Sequence, residues 1–319
     1  MKKMLLAACA VLFAALPATA QEWPTKSVKL IVPFAAGSTP DVTARMLTDY
    51  LQNKFGQTFL VENRAGASGN TGTDAVAKAE PDGYTLGMSI LGPLGVNAIL
   101  FGSLPYDPAK DLAFITMLVT QPNALAVNTG LGVNTVPELM TLLKNNPGKY
   151  NYASIGNGSL SQMSMEAIVL KAGSKMVHIP YAGSPAAMTA LMRGDAQVAS
   201  LPAIAVTPHV ATGQVKILAI STAQRSALLP GVPTLTENGI DVQADAWSGL
   251  IAPAKTPDAI VEKIRAAFTE ALTSSAIKEK LAIQLTEPIP NTPAQFRARV
   301  ESDVARWKPV IEAASIKVN

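Results

Sequence analysis

The chain has 319 residues, of which 26 are basic and 23 are acidic, so its net charge of +3 is small for this length. Such a balance argues against a nucleic-acid-binding protein, which needs a concentrated basic surface. The only cysteine, Cys9, lies in the apolar N-terminal segment, so the rest of the chain offers no disulfide, thiolate nucleophile or cysteine metal site.

The N-terminus predicts secretion. Lys2 and Lys3 precede a thirteen-residue apolar run at 4–16, and segment 18–20 (ATA) then matches the small-residue pattern of a cleavage site. We therefore predict a signal peptide at residues 1–20 and export to the periplasm. No later stretch reaches the ~18 uninterrupted apolar residues that typify a membrane-spanning helix.

The mature chain alternates short β-rich runs with amphipathic helical stretches. In chain order, strands are predicted at 28–33, 58–62, 84–88, near Tyr152, and at 176–179, 197–200 and 216–220. Helices are predicted at 41–55, 69–79, 160–171, 186–192, 258–272 and 293–314. This alternation is typical of βαβ units around a mostly parallel sheet, and hence of an α/β fold.

Two extended apolar segments, 123–128 (NALAVN) and 247–253 (WSGLIAP), interrupt the alternation. We predict that they run side by side as two crossover strands, which form a hinge between two lobes. The first lobe would comprise residues 21–124 plus 247–319, and the second lobe residues 125–246. The alternative is one large doubly wound domain with a helical tail, since chain length is only a soft guide to the number of domains.

Four loops rich in glycine and serine follow predicted strands and precede predicted helices, at 34–41, 65–72, 154–159 and 181–185. A helix N-terminus presents unpaired N–H groups and a partial positive charge, glycine lets a ligand approach this backbone, and serine adds a hydroxyl donor. In parallel α/β sheets such loops gather at the carboxyl ends of the strands, where ligands bind. One such loop is an ordinary turn, but four in equivalent positions predict an anion site that needs no Lys or Arg.

At these loops the sequence resembles the substrate-binding proteins of tripartite tricarboxylate transporters, the Bug family. The matching segments cover almost the whole mature chain, at 23–45, 61–86, 150–168, 178–198, 218–239 and 247–257. The resemblance implies a two-lobe type II periplasmic-binding-protein fold with no enzyme activity and no cofactor. It also implies a carboxylate ligand, held largely by backbone N–H groups and ordered waters, and delivery of that ligand to a two-subunit membrane carrier. We expect the protein to be a monomer.

The loops and the family pattern together give the residues expected at the ligand. They are Phe34, Ala36, Gly37, Ser38, Ala67, Ser68, Gly69, Asn70, Ser89, Ser154, Gly158, Ser159, Tyr181, Ala182, Gly183, Leu201 and Pro202. An apolar wall for the carbon skeleton of the ligand is also expected, from Pro93, Leu94 and Val96 on one side and Leu201 and Pro202 on the other.

Several positions depart from the family pattern. Ser38 and Ser68 stand where the family has glycine, and their hydroxyls add donors that suit a carboxylate. Ala65 stands in place of a proline, and Gln162 in place of a frequent histidine. Segment 200–202 (SLP) replaces a Phe-Asp-Asn sequence, so an acidic partner for an ammonium group is lost. The lost acidic residue disfavours amino-acid ligands. Because both proposed lobes offer Gly/Ser loops, the cleft should have anion sites on two opposing walls, and we therefore expect a dicarboxylate without an amino group, aliphatic or aromatic.

Other chemistries find little support in the sequence. The chain has no G-x-S-x-G motif and no metal-ligand spacing, and its two histidines, His178 and His209, are predicted to be structural. An enzyme is therefore not expected. Among binding proteins, the alternative to transport is a sensor component that presents its ligand to an extracytoplasmic receptor, and the sequence does not separate these two roles.

Overall fold

The structure is a computed structural model that describes residues 22–318, so the predicted signal peptide at 1–20 lies outside the described residues. The strands are β1 (Val28–Val32), β2 (Phe59–Asn63), β3 (Thr85–Ile90), β4 (Leu112–Gln121), β5 (Asn123–Asn128), β6 (Asn151–Ser154), β7 (Val177–Pro180), β8 (Val198–Pro202), β9 (Val215–Ile220), β10 (Ala246–Pro253) and β11 (Glu287–Pro288). The α-helices are α1 (Thr39–Phe55), α2 (Asn70–Ala77), α3 (Asn97–Phe101), α4 (Pro108–Asp111), α5 (Val136–Asn145), α6 (Leu160–Lys171), α7 (Ser184–Arg193), α8 (Ala203–Val210), α9 (Asp258–Thr273), α10 (Ser275–Ile283) and α11 (Pro293–Ala313). A π-helical turn lies at Gly92–Val96, and short 3₁₀ turns lie at Ala67–Gly69, Thr129–Leu131 and Thr236–Asn238.

The first sheet has six strands in the order β11-β4-β10-β3-β1-β2. Strand β1 runs parallel to β2 and β3, whereas β10 runs antiparallel to β3 and β4. Along β1, Val28, Leu30 and Val32 join a core cluster with α1 and α9, while Ile31 joins a second cluster with α2 and α11. Both faces of the sheet are therefore covered, which explains why β1 is apolar at successive positions.

The second sheet has five strands in the order β7-β6-β8-β5-β9. Strand β6 runs parallel to β7 and β8, and β5 runs antiparallel to β8 and β9. Two separate sheets agree with a two-lobe α/β fold and exclude a single doubly wound sheet. The prediction of mostly parallel pairing is wrong in part, because β5 and β10 run antiparallel to their neighbours. These are the first strands that the chain forms after each of its two passages between the sheets.

The chain passes twice between the sheets. Strand β4 leads into β5 across Pro122, and the segment 221–245 leads from β9 to β10. The prediction that 123–128 and 247–253 run side by side is wrong. Strand β5 is bonded to β8 and β9, and strand β10 to β3 and β4, so both edges of each strand are occupied within its own sheet. The connections at Pro122 and 221–245, rather than two paired strands, join the sheets.

The C-terminal helix α11 starts at a capping box, in which Thr292 and Gln295 satisfy each other's backbone N–H groups. The helix packs against β4 and the π-helical turn and also contacts α6, which belongs to the second sheet. Although α11 is 21 residues long, neither it nor any other helix between residues 22 and 318 is apolar and long enough to cross a membrane.

Candidate ligand-binding site

A cleft between the two sheets divides into two chambers, chamber A of about 510 Å³ and chamber B of about 410 Å³. Five residues line both chambers and form the waist between them: Phe34, Ile90, Ile155, Ala246 and Trp247. The loops after β1, β6 and β7 all face this cleft. Loops from both sheets therefore converge on it, as their positions after strands predict.

Chamber A lies between two helix N-termini that come from different sheets. Gly37 and Ser38 lead into α1 on one wall, and Gly183 leads into α7 on the other. The N–H groups of each first helical turn have no partner within the helix, and they carry the positive end of the helix dipole. An anion in chamber A would thus meet donors on two opposite walls.

Three hydroxyl oxygens in the lining of chamber A are buried without a hydrogen-bond partner among residues 22–318, those of Ser38, Thr43 and Ser248. A buried polar group left unpaired costs about 1–3 kcal/mol, and a carboxylate oxygen in the chamber would supply the missing acceptor. Ser38 was predicted from its loop. Thr43 and Ser248 were missed, because one lies inside α1 and the other inside β10, where no Gly/Ser pattern marks them.

The carboxylate of Asp41 organises the loop between β1 and α1. It accepts hydrogen bonds from Gly37 N at 2.8 Å, from Arg45 Nε at 3.2 Å and from Asn63 Nδ2 at 2.9 Å. Asn63 Nδ2 also donates to the carbonyl oxygen of Phe34 at 3.0 Å. Burial alone would raise the pKa of Asp41, but the hydrogen bonds from Arg45, Gly37 and Asn63 outweigh it, so the pKa lies below its ordinary value. The Gly37 N–H is occupied by this network and the Ser38 N–H donates to the carbonyl oxygen of Ala35 at 3.2 Å, so the Ser38 hydroxyl is left as the donor that faces the chamber.

Chamber B is bounded by Ser68 and Asn97 on the side of the first sheet and by Asn157, Gly158 and Ser159 on the side of the second. Ser68 has a left-handed backbone with φ of 53°, and its carbonyl oxygen accepts a hydrogen bond from Asn97 Nδ2 at 3.3 Å. The hydroxyl of Ser159 caps the N-terminus of α6. Chamber B thus repeats the pattern of chamber A, with polar groups from both sheets and a helix N-terminus in its wall.

The charge of the cleft is unusual for an anion site. No Lys or Arg of the described chain lines either chamber, and Asp245, in chamber B, is the one ionisable side chain other than hydroxyls in their linings. Asp245 accepts hydrogen bonds from Thr120 Oγ1 at 2.7 Å and from Arg299 Nη2 at 2.8 Å. Arg299 therefore balances the charge of Asp245 from behind the chamber wall. Sequence reasoning missed this pair, because no motif connects residues so far apart.

Eight of the residues predicted at the ligand line the cleft. Phe34, Gly37, Ser38, Gly183 and Pro202 line chamber A. Phe34, together with Ser68, Gly158 and Ser159, lines chamber B. Of the predicted apolar wall, Val96 lies in chamber B and Pro202 in chamber A, while Pro93 and Leu94 are buried and line neither chamber.

The other predicted residues line neither chamber: Ala36, Ala67, Gly69, Asn70, Ser89, Ser154, Tyr181, Ala182 and Leu201. Several of them have partners inside the protein. Asn70 Oδ1 accepts from Asn97 Nδ2 at 2.6 Å, and the hydroxyls of Ser89 and Thr73 are 3.1 Å apart. Leu201 is fully buried in the core cluster of the second sheet. Asn70, Ser89 and Leu201 are thus buried within the protein, whereas Ala36, Ala67 and Ala182 are exposed outside the two chambers.

A family model described as a tripartite tricarboxylate transporter family receptor matches residues 43–316. The chain belongs to this family. Among curated relatives, BugT of Bordetella pertussis is 35% identical over 308 residues, which make up 95% of this chain and 94% of BugT. The receptor is therefore a solute-binding protein of the periplasmic type that serves tripartite tricarboxylate transporters, and it is not an enzyme.

Two solved structures of related receptors contain carboxylate ligands. Rpa4515 of R. palustris with adipate superimposes with a TM-score of 0.81 at 31% identity, covering 93% of this chain and 99% of that one. MatC from Rhodopseudomonas palustris with bound malate gives a TM-score of 0.75 at 30% identity, covering 91% of this chain and 100% of that one.

Proposed function

We propose that this receptor captures a small dicarboxylate without an amino group and delivers it to the membrane carrier of a tripartite tricarboxylate transporter. One observation carries the proposal. The cleft has two chambers, each with polar groups from both sheets and a helix N-terminus in its wall, and no basic side chain of the described chain lines either of them. A ligand with a carboxylate at each end would place one in each chamber and its carbon skeleton across the apolar waist.

Backbone and hydroxyl donors are sufficient for such a ligand. A hydrogen bond to a charged group contributes about 1.5–3 kcal/mol. Four of them are of the order needed for micromolar binding, which corresponds to about 8 kcal/mol after the costs of association. Ser38, Thr43 and Ser248 in chamber A, and Ser68 in chamber B, are the hydroxyl groups that we assign to this role.

The cleft gives an ammonium group little to bind. Asp245 is the only carboxylate among the lining residues, and Arg299 already balances its charge at 2.8 Å. The waist is formed by apolar side chains such as Phe34, Ile90 and Ile155. Burying an ammonium group there without a free counter-charge would be costly, so amino acids are disfavoured relative to plain diacids. Adipate and malate, found in two related receptors, are both diacids without an amino group.

Binding at a site between sheets should close the protein. We propose that the lobes are those expected from the sequence, residues 21–124 plus 247–319 and residues 125–246, with the boundaries shifted to Pro122 and to the 221–245 connection so that β5 and β10 each stay within one lobe. A diacid held by both lobes would stabilise the closed form. A monomer exported by the segment 1–20 would then present the closed form to the two membrane subunits. Of the predicted ligand contacts, the eight residues that line the chambers are the ones that we propose to touch the ligand.

Ligand-shifted thermal melting of the mature protein tests the ligand class. Binding at 100 times Kd adds about 2.7 kcal/mol, which corresponds to a rise in Tm of roughly 4 °C for a chain of this length. We expect this rise with at least one of succinate, malate, adipate and phthalate. In Ser38→Ala the rise should shrink, whereas Ser302→Ala, on the exposed face of α11, should behave like the wild type. If no diacid raises Tm, the proposed ligand class is wrong. Delivery to the membrane carrier is tested by the uptake of a diacid that raises Tm, compared between cells with and without the receptor.

A further inference from the structure

The imidazole of His178 lies behind the loop 156–159 of chamber B. Its Nε2 is 2.6 Å from Ser154 Oγ, and its Nδ1 is 3.2 Å from Gln162 Nε2. The ring stacks on Tyr152, with centroids 4.9 Å apart and an interplanar angle of 18°. Both nitrogens are therefore engaged, and the ring is held in place by its neighbour on β6.

The direction of each hydrogen bond follows from one backbone group. The Gly158 N–H can only donate, and it lies 2.8 Å from Gln162 Oε1. The Nε2 end of the Gln162 amide must then face His178, and it too can only donate. His178 Nδ1 is consequently the acceptor, and the single proton of the neutral ring is on Nε2, where it is donated to Ser154.

The same chain of bonds reaches the other glycine of the loop. With the imidazole as its donor, Ser154 Oγ is free to donate to the carbonyl oxygen of Gly156 at 3.2 Å. Gly156 and Gly158 both have positive φ, 126° and 70°, which glycine adopts without a steric cost. The Nε2–H tautomer is thus compatible with the bonds from Gln162 and Ser154 to both glycines, although the carbonyl oxygen of Gly156 also accepts from the Ser159 hydroxyl at 2.6 Å.

A proton on Nδ1 would break this arrangement. The Nδ1–H would then meet the Gln162 Nε2–H₂, which places two donors against each other. Rotating the Gln162 amide by half a turn would satisfy His178 but would turn the –NH₂ toward the Gly158 N–H. In either orientation of the Gln162 amide, its –NH₂ group faces another N–H donor. Two buried donors placed against each other cost more than a lost hydrogen bond.

We propose that His178 is a positioning residue of the ligand site, which, as the neutral Nε2–H imidazole, fixes the loop 156–159 through Gln162 and Ser154, and that protonation at Nδ1 releases the link through Gln162 to Gly158 while the bond to Ser154 remains. The proposal rests on chamber B being part of the ligand site, as argued above. Its consequence is that ligand affinity falls when the medium becomes acidic, although no titratable group of the receptor other than Asp245 lines the chamber.

The surroundings of His178 favour the neutral ring. Burial lowers the pKa of His178 below its ordinary value of 6.5. The titratable groups that face it are the Tyr152 phenol, which is stacked on the ring, and the Glu166 carboxyl of α6, which accepts the hydrogen bond of that phenol. Burial raises the pKa of both Tyr152 and Glu166. The carboxyl reaches His178 only through Tyr152, and it does not pair with the imidazole directly.

The substitution Gln162→Glu separates this positioning role from a merely structural one. A carboxylate at position 162 accepts from the Gly158 N–H and from a protonated Nδ1–H at the same time, so the charged imidazole becomes compatible with the loop. We expect the variant to raise the pKa of His178 and to reduce the loss of affinity in acid. Gln162→Leu, which keeps a side chain of similar size without either bond, should uncouple Gly158 from His178.

Nitrogen-15 NMR of the mature protein reads the result directly, because His209 is the only other histidine of the chain and His209→Gln serves as the control. We expect the Nε2–H tautomer of His178 at neutral pH and a Gly158 amide signal that titrates with the His178 ring. An Nδ1–H tautomer, or a Gly158 signal that ignores the titration of His178, would overturn the proposal.

Calorimetry with adipate as the probe, at about pH 7.5 and about pH 5.5, measures the effect on binding. Adipate itself takes up protons near the lower pH, and this loss is common to all variants, so we expect a larger loss of affinity in acid for the wild type and His209→Gln than for Gln162→Glu. An equal loss in all three would overturn the proposal. If adipate does not bind the wild type at either pH, the proposed ligand class fails for adipate, and the NMR titration still decides the role of His178.

Discussion

The side-chain amide of Asn123 donates to the carbonyl oxygen of Ala244 at 2.9 Å, and this bond ties together the two passages of the chain between the sheets. The same junction is reinforced by Ser221, whose N–H donates to the carbonyl oxygen of Asn123 at 2.9 Å. Asn123 is buried, so the bond is shielded from water. If one sheet moves against the other, the two passages of the chain must therefore bend in the residues before and after this junction.

Asn123→Ala should therefore destabilise the protein. The variant leaves the carbonyl oxygen of Ala244 without its donor in a buried position, at an expected cost of about 1–3 kcal/mol. Unfolding in urea, followed by circular dichroism, measures this cost. Asn53→Ala, on the exposed face of α1, is the control and should stay within about 0.5 kcal/mol of the wild type. Equal stability of the two variants would show that the junction does not depend on Asn123.

A ligand that bridges both chambers should also compact the protein. Small-angle X-ray scattering of the receptor, alone and saturated with a diacid that raises its Tm, should show a smaller radius of gyration with ligand. The rigid-body hinge is expected at Pro122 and 221–245. An unchanged scattering profile at saturation would contradict closure of the two proposed lobes.

Gly158 is the point at which the loop 156–159 touches the first lobe. Its φ is 70°, and a Cβ there would lie 2.5 Å from Val318 Cγ2 and 3.2 Å from Leu100 Cδ1. Gly158→Ala should lose about 1–2 kcal/mol from backbone strain and should also weaken diacid binding, because the clash holds the lobes apart. Gly148→Ala is a matched control, since Gly148 has φ of 77° with nothing near its Cβ position. Calorimetry and thermal melting should show similar destabilisation in both variants but weaker binding only in Gly158→Ala.

The raised pKa of Glu166 should make the stability of the folded protein depend on pH. Burial raises the pKa of Glu166, although the hydrogen bond from Tyr152 works in the opposite direction. The folded protein therefore binds a proton more readily than the unfolded chain, so this group costs stability at neutral pH and the cost disappears as the pH falls through the raised pKa. Glu166→Gln should raise Tm at neutral pH and give a smaller gain near the ordinary pKa of 4.5. Glu301→Gln, on the exposed surface of α11, should show no such trend.

Much of the fold can be predicted from local patterns. Helix α6 occupies the predicted 160–171, and β1 and α9 match their predictions to within two residues. The ten-residue strand β4 was missed, because its run of apolar residues has no helical or alternating period, and helix α5 lies in a stretch that was left unassigned. The pairing of β5 and β10 was predicted wrongly because strand partners are set by contacts far apart in sequence, which no local pattern reveals.

The candidate site likewise contains residues that local sequence patterns predict and residues that they do not. The Gly/Ser loops were predictable, because glycine, serine and a following helix are local signals, and three of the four loops line the cleft through several residues each. Thr43, Ser248 and Asp245 carry no such signal, and they enter the cleft only because α1, β10 and the 221–245 connection are brought together by the fold. His178 was predicted to be structural, and its link to the loop 156–159 depends on Gln162, sixteen residues away along the chain.

If one ligand places a carboxylate in each chamber, its affinity must depend on both carboxylates. Calorimetric titration with matched compounds measures this dependence. The panel pairs succinate with butanoate, adipate with hexanoate and glutarate with glutamate. Loss of one carboxylate removes at least two charge-assisted hydrogen bonds, or about 3 kcal/mol, so the monocarboxylate should bind about 100-fold more weakly than its diacid. We expect this ratio for at least one pair of a diacid and its monocarboxylate, and weaker binding of glutamate than of glutarate. Tight binding of glutamate, with no response to glutarate or to any other amino-free diacid, would contradict this expectation.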